Sequence, residues 1–227
     1  NIFHPLPHAL SQAEHHIGIG VFALPFYAAP ANPVLTYWIV WLLAFPLNAL
    51  AMHALAWRVT RDHLASFIGG IVYAFCFFRM HHAHGHIQLL WTWALPLVPL
   101  ALERWLAHPT WRRAAIVSAL VVIQALRSWY LAVFVALVAF IAALTLAPGA
   151  HLRRAHLVQG TAAVFCAGAV IAWFARPYFG LSAGPADEAI GNAADLRAYL
   201  VPPENTWLGQ WLLRQTSITP RWIWGEQ

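Results

Sequence analysis

Residues 113–147 read RAAIVSALVVIQALRSWYLAVFVALVAFIAALTLA, and this stretch decides how the chain folds. Both halves are apolar, and Arg127 lies between them. One continuous helix would place Arg127 in the middle of the lipid, where a charged side chain is costly. We therefore predict two membrane helices, 113–127 and 129–147, joined by a tight turn at Arg127-Ser128-Trp129-Tyr130.

The composition of the whole chain favours the same class of protein. Of its 227 residues, 61% are hydrophobic and 9% are charged, and the mean hydropathy is +0.60. Soluble domains have about 25% charged residues. Since a membrane span needs roughly 20 apolar residues, we predict an all-α, polytopic transmembrane helical bundle of about six spans. The predicted spans are 34–57, 63–79, 87–106, 113–127, 129–147 and 156–177.

We expect one segment before the bundle in the sequence and another after it. We predict an outer loop with an interfacial helix at 1–33, the bundle at 34–178, and the start of a large outer loop at 179–227. The chain begins at Asn1 without a signal-type leader and ends at Gln227 within an aromatic, polar segment. It therefore reads as an interior fragment of a longer membrane protein.

The arginines predict the orientation. Of the thirteen arginines, seven lie in alternate connections of the predicted bundle, and three lie at the opposite helix ends, at Arg79, Arg127 and Arg176. The positive-inside rule places the richer set in the cytoplasm. The outer tryptophans, including Trp91 and Trp93, are interpreted as an aromatic belt at the outer interface. The formal charge of +5 suits an anionic leaflet, and no basic run predicts a nucleic-acid partner.

A histidine-rich loop follows Arg79. Four imidazoles lie within six residues, at His81, His82, His84 and His86. Imidazole binds transition metals such as zinc, but the loop lacks the spacing of an HExxH motif. The same side chains are equally suited to a phosphate or a sugar, or they simply complete two helices at the interface.

Two further groups of residues are candidates for chemistry at the outer face. Glu14-His15-His16 precedes an apolar helix. Glu14 is a candidate cation ligand, a general base, or a cap for that helix. Arg79, Arg127 and Arg176 together are suited to phosphate because of guanidinium geometry, while each one alone also suits a lipid head group.

The order of these features resembles the GT-C superfamily of membrane glycosyltransferases. The resemblance rests on five short segments spread over nearly the whole chain, and their motifs are loose. They are Asn1-Ile2-Phe3-His4-Pro5 with Glu14-His15-His16-Ile17-Gly18, Asn32-Pro33-Val34-Leu35, Ala74–Arg79 with His84–Gln88, Gln124–Tyr130, and Arg176-Pro177-Tyr178.

The resemblance implies transfer of a sugar from a polyprenyl-phosphate donor to an acceptor at the outer face of the bacterial inner membrane. In that scheme the partners are the lipid-linked sugar and membrane lipids. Glu14 is the catalytic residue, while an expected aspartate would precede Asn1. A divalent metal is a possible cofactor, with His81 and His82 as its ligands in place of the acidic ligands of some members. The residues implied to bind substrate are His15, Arg79, His84, His86, Arg127 and Arg176.

Two other functions remain open from the residues. The chain is alternatively a multi-pass transporter or channel, with the histidine loop as an ion entry. Transporters usually have polar or broken helices at mid-membrane, whereas the polar residues here gather at helix ends. A non-catalytic paralogue that only binds a glycolipid is the third hypothesis.

Overall fold

The structure is a computed structural model that describes residues 15–29, 31–149, 151–179 and 207–215. Within these ranges it is α-helical, with two 3₁₀ turns and no strand, which confirms the all-α prediction. The helices are α1 (Ile17–Ala28), α2 (Pro33–Thr60), α3 (His63–Ala74), α4 (Phe77–His82), α5 (Ile87–Leu90), α6 (Ala94–Ala107), α7 (Trp111–Ala125), α8 (Trp129–Leu146), α9 (Arg154–Ala175) and α10 (Trp207–Gln215). The chain divides into two compact units, Asn1–Phe179 and Gly180–Gln227, and α10 belongs to the second.

Four helical segments of the described chain are long and apolar enough to cross a membrane. They are Pro33–Thr60, His63–His82, Trp129–Leu146 and Arg154–Tyr178. Helices α6 and α7 have 14 and 15 residues and are shorter than a full span. The described chain is thus a multi-pass helical membrane protein, with a number of spans close to the predicted one.

The predicted turn after 113–127 is confirmed. Helix α7 ends at Ala125, and α8 starts at Trp129 with Ser128 as its N-cap. The Ser128 hydroxyl accepts a hydrogen bond from the backbone N–H of Leu131 at 3.4 Å. Ser is a favoured N-cap because its side chain satisfies a backbone donor that has no helical partner.

The predicted continuous span 87–106 is wrong, because residues 91–93 interrupt it between α5 and α6. Pro96 has no N–H to donate to the carbonyl of Thr92, and its ring clashes with a continuous helix at that position. Helix α6 therefore restarts with Pro96 in its first turn, where a missing N–H costs nothing. Side chains bind two carbonyls beside the break: Asn48 Nδ2 donates to Leu90 O at 2.6 Å and Gln124 Nε2 to Trp91 O at 3.0 Å.

The bundle has an apolar surface and polar groups within it. Many large apolar side chains are exposed, such as Val72, Val133 and Phe165. Asn48 and Ser66 are fully buried. This distribution suits a bundle in lipid, where exposed apolar side chains face hydrocarbon and polar groups need partners inside the protein.

Helix packing places α1 close to the turn before α8. Helices α2 and α3 pack together, as do α6, α7, α8 and α9, and α2 also contacts α6. Helix α1 lies against α2, and its Ile19 belongs to a buried cluster with Val40 and Trp91. The predicted role of α1 as an interfacial helix stays a prediction, as do the domain boundaries at 33/34 and 178/179.

One end of the bundle gathers several of the predicted cytoplasmic arginines. Arg58 forms an ion pair with Glu103, between α2 and α6. Arg113 Nη1 donates to the carbonyls of Arg104 and His108, both at 3.0 Å. Guanidinium donors at a helix C-terminus satisfy carbonyls that lack a helical partner.

Candidate functional site at one end of the bundle

Three aromatic rings meet where α1 begins, α8 begins and α9 ends. His15 precedes α1 and is 2% exposed. Its ring contacts that of Trp129 edge-on, with centroids 4.4 Å apart, and that of Tyr178 at 6.1 Å. Trp129 and Tyr178 are themselves in edge-to-face contact at 5.6 Å. Three parts of the chain that are distant in sequence therefore form one aromatic cluster.

A cavity of about 560 Å³ opens beside this cluster. Two sequence-predicted site residues, His15 and Arg176, line it together. The Arg176 guanidinium lies 3.5 Å from the ring centroid of Trp173, and its Nε donates to the Trp173 carbonyl at 3.3 Å. Arg176 is exposed, so its remaining donors face outward from the helix end. The full lining is His15, Ile17, Trp173, Phe174, Arg176, Pro177, Tyr178 and Phe179.

Arg127 lies in the turn between α7 and α8, two residues before Trp129. It is only 2% exposed, and its Nε and Nη1 atoms have no hydrogen-bond partner in the described part of the chain. The guanidinium carbon lies 4.2 Å from the ring centroid of Trp93 and 5.2 Å from that of Trp91. Burial lowers the pKa of Arg127 to about 9, which still leaves the side chain charged at neutral pH.

Helix α1 covers the Arg127 turn closely. The backbone N–H of Gly18 donates to the Leu126 carbonyl at 2.7 Å. A Cβ at position 18 would lie 3.0 Å from both Leu126 O and Arg127 Cγ. A residue without a side chain is therefore needed where α1 meets this turn.

Arg79 is held in a buried network rather than at the cavity. It is 3% exposed, and its guanidinium lies 3.9 Å from the Tyr73 ring centroid. Nη1 donates to Cys76 Sγ at 3.2 Å, and Nη2 donates to the Thr92 hydroxyl. These contacts hold two of its three nitrogens, while Nε has no hydrogen-bond partner among the described residues. The predicted role of Arg79 in substrate binding stays a prediction.

The histidine loop forms a ring cluster of its own. The ring centroids of His81 and His82 are 5.1 Å apart, and those of His82 and His86 are 5.7 Å apart. His82 Nδ1 donates to the carbonyl of Phe78 at 2.7 Å, while His84 is exposed. None of these four histidines lines the cavity with His15 and Arg176.

The metal and catalytic predictions remain predictions. Across the residues that the structure describes, no group of three or more His, Cys, Asp or Glu side chains is placed to hold a metal ion. A stable protein site for a transition metal usually needs at least three such ligands. Glu14, the predicted catalytic residue, lies outside the described residues.

Sequence reasoning missed the residues that surround Arg127. Trp91, predicted to be in the outer belt, is fully buried in the bundle. The indole N–H groups of Trp91 and Trp93 and the amide oxygen of Gln124 are buried without a hydrogen-bond partner within the described ranges. The signal available in the sequence was Pro96, because a proline disfavours a continuous helix through the Trp91-Thr92-Trp93 segment that precedes it.

No protein-family model, curated protein or solved structure matches this chain.

Proposed function

We propose that this protein is a membrane glycosyltransferase of the GT-C type. It transfers a sugar from a polyprenyl-phosphate donor to an acceptor at the outer face of a bacterial inner membrane. The observation that carries the proposal is the arrangement of His15 and Arg176 around one cavity, with the buried Arg127 close by. A cavity at the ends of membrane helices suits a substrate whose tail stays in lipid and whose charged head lies at the interface.

The proposed chemistry follows from the charges at this end. Displacement of the sugar from its phosphate leaves negative charge on the departing phosphate, and a guanidinium near that oxygen stabilises the transition state. Arg176 is the exposed guanidinium of the cavity and is assigned this role. Glu14, which directly precedes His15 in the chain, is assigned as the general base that deprotonates the acceptor hydroxyl.

A second candidate function has one observation in its favour. The interruption at residues 91–93 is a broken helix within the bundle, and such helices often form the binding sites of transporters. The central residue of the break, however, is bonded within the protein: the Thr92 hydroxyl accepts from Arg79 and donates to Asn48 Oδ1 at 3.2 Å. Transport is therefore the alternative, and a glycolipid-binding paralogue without activity is a further one.

The direct test is a transferase assay with the full protein in proteoliposomes that contain a polyprenyl-phosphate sugar. We expect Glu14→Gln and Arg176→Ala each to lower turnover by roughly 100-fold, the usual effect of removing a group that acts in the transition state. Arg112→Ala is the matched control, since Arg112 is an exposed arginine at the start of α7. Near-normal turnover in both site variants would remove these residues from the active centre and contradict the proposal.

A further inference from the structure

The buried guanidinium of Arg127 lacks a counter-charge among the described residues. It makes no ion pair with any of them, and its Nε and Nη1 make no hydrogen bond with them. A buried charge without a partner is strongly unfavourable, and native proteins neutralise such groups or bind a ligand there. Contact with two indole rings offsets only part of this penalty. Within the described part of the chain, Arg127 is therefore a cation that an anion would stabilise.

The other polar groups around Arg127 are mostly donors as well. The indole N–H groups of Trp91 and Trp93 are buried and without an acceptor in the described structure. Together with Nε and Nη1 of Arg127 they make four buried donors without an acceptor among the described residues, carried by Arg127 and the two rings that it contacts. Buried polar groups are nearly always hydrogen-bonded in native proteins, so four donors together indicate a missing ligand that is rich in acceptors.

The start of α1 adds to the positive potential at this place. Its N-terminal turn meets the Arg127 turn through the Gly18–Leu126 hydrogen bond. The N-terminal end of a 12-residue helix carries a partial positive charge, and such ends commonly bind anions. The partial positive charge of this helix end adds to the charge of Arg127, and both favour an anion.

The side-chain oxygen of Gln124 indicates that the ligand also has a hydrogen-bond donor. Gln124 uses its Nε2 to donate to the Trp91 carbonyl, which leaves its Oε1 buried without a donor among the described residues. An anion with only acceptor atoms would leave this oxygen unsatisfied, whereas a neighbouring hydroxyl would donate to it.

The net charge of the ligand is inferred from the guanidinium of Arg127. Of the other two arginines, Arg79 is also buried but donates to Thr92 and Cys76, and only its Nε lacks a partner among the described residues, whereas Arg176 is exposed to solvent. One buried cation matches one negative charge, because a second charge would remain uncompensated in a medium of low dielectric constant. A phosphodiester has one charge and a diphosphate has more.

We propose that the Arg127 receptor, formed by Arg127, Trp91, Trp93 and Gln124, binds a phosphodiester monoanion that carries a neighbouring hydroxyl. Glycosyl phosphates on a lipid and hydroxyl-bearing phospholipids both have this chemistry. The receptor adjoins the cavity, because Trp129 follows Arg127 by two residues and contacts the cavity residues His15 and Tyr178. The binding of such an anion at Arg127 does not require the proposed function. Only the choice between these two lipids rests on it.

Binding can be measured without any transfer reaction, by calorimetry on the full chain in detergent. The probes are the glucosyl ester of farnesyl phosphate, farnesyl diphosphate, phosphatidylglycerol and inorganic phosphate. We expect the glucosyl ester to bind at least about tenfold more tightly than the diphosphate, the scale of one misplaced charge. Equal or tighter binding of the diphosphate or of inorganic phosphate would overturn the assignment of a monoanionic diester.

Variants separate a receptor from a structural role. Arg127→Met should lower affinity for the glucosyl ester by about tenfold or more, and Trp93→Phe, which keeps a ring and removes the N–H, should lower it severalfold. Without ligand, Arg127→Met should raise the melting temperature, because it removes an uncompensated buried charge. Arg112→Met is the control and should change neither quantity. Unchanged affinity in Arg127→Met, or a lower melting temperature of its free form, would overturn the proposal.

Two outcomes distinguish this inference from the proposed function. Arg127-dependent binding of the glucosyl ester without any sugar transfer would support the receptor and contradict the transferase. Phosphatidylglycerol that binds through Arg127 as tightly as the glucosyl ester would also support the receptor, and it would overturn the assignment of the ligand as the sugar donor.

Discussion

At the scale of single residues, the end of the bundle that holds Arg127 depends on two positions: one must accommodate a charge, and the other must lack a side chain. Arg127 brings a charge into a place where the described protein offers no hydrogen bond to its Nε or Nη1. Gly18 brings no side chain, and this lets α1 approach the same turn until its N–H reaches Leu126 O. The burial of Arg127 is therefore produced partly by a glycine that is distant in sequence.

Replacing Gly18 tests this close approach. A Cβ at position 18 would lie 3.0 Å from Leu126 O, so Gly18→Ala should push α1 away from the turn. Overpacking of this kind typically costs about 1–3 kcal/mol in the free energy of unfolding. Thermal unfolding in detergent measures the change.

The same helix supplies the control. A Cβ added at Gly20 would have no described atom within 4 Å, so Gly20→Ala meets only open space. Because alanine favours a helix over glycine by up to about 1 kcal/mol, this variant should be neutral or stabilising. If Gly18→Ala were as stable as Gly20→Ala, the contact of α1 with the Arg127 turn would not be a tight one.

At the scale of elements, the segment between α5 and α6 is the least regular part of the bundle, and side chains hold it in place. Thr92 is its central residue. Its hydroxyl accepts from Arg79 and Tyr73 and donates to Asn48, and so it connects α2, α3 and α4 to the break. In a medium of low dielectric constant such hydrogen bonds are strong, although Arg79 Nε has no partner among the described residues.

Removing the Thr92 hydroxyl should destabilise this arrangement. Thr92→Val keeps the shape and leaves donors of Arg79 and Tyr73 buried with fewer partners, which should cost about 1–3 kcal/mol in the free energy of unfolding. Chemical or thermal unfolding of the purified protein provides the measurement.

Thr145→Val is a matched control for that variant. The Thr145 hydroxyl binds only carbonyls of its own helix, at Ile141 and Ala142, and the residue is exposed. We expect a change within about 0.5 kcal/mol, as for other surface substitutions. Equal stability of the two variants would show that Thr92 does not hold the break.

At the scale of the whole molecule, the two ends of the bundle differ in their contacts. Arg58, Glu103 and Arg113 bind partners at one end, whereas His15, Arg127 and Arg176 lie at the other. Which end faces the cytoplasm follows from the positive-inside rule alone and stays a prediction.

Labelling from outside the cell tests the orientation. In a background without Cys76 and Cys166, an engineered cysteine at His84 should react with a membrane-impermeant maleimide, and one at Arg112 should not. Both native side chains are exposed, so reactivity reports the side of the membrane rather than burial. Labelling at position 112 but not at 84 would reverse the topology and contradict the proposed function.

Much of the architecture could be predicted from the sequence. The turn at Arg127 followed from the cost of a charge in lipid. The prediction of an uninterrupted span at 87–106 was wrong. The segment is apolar on average, and that average does not show that Pro96 removes a backbone hydrogen bond from one turn. Pattern and composition report averages over a helix, and a local break depends on single backbone groups.

By itself, the sequence determined that this chain forms apolar helices for a membrane and where most of them begin and end, because lipid demands long apolar segments with internally satisfied backbone groups. Only the tertiary structure decided what Arg79, Arg127 and Arg176 face. Arg79 lies in a hydrogen-bonded network, Arg176 borders a cavity, and Arg127 is buried on two indole rings without a counter-ion in the described structure. These three arginines lie at similar helix ends but differ in their chemistry, because the segments that bury them and bond to them are distant along the chain.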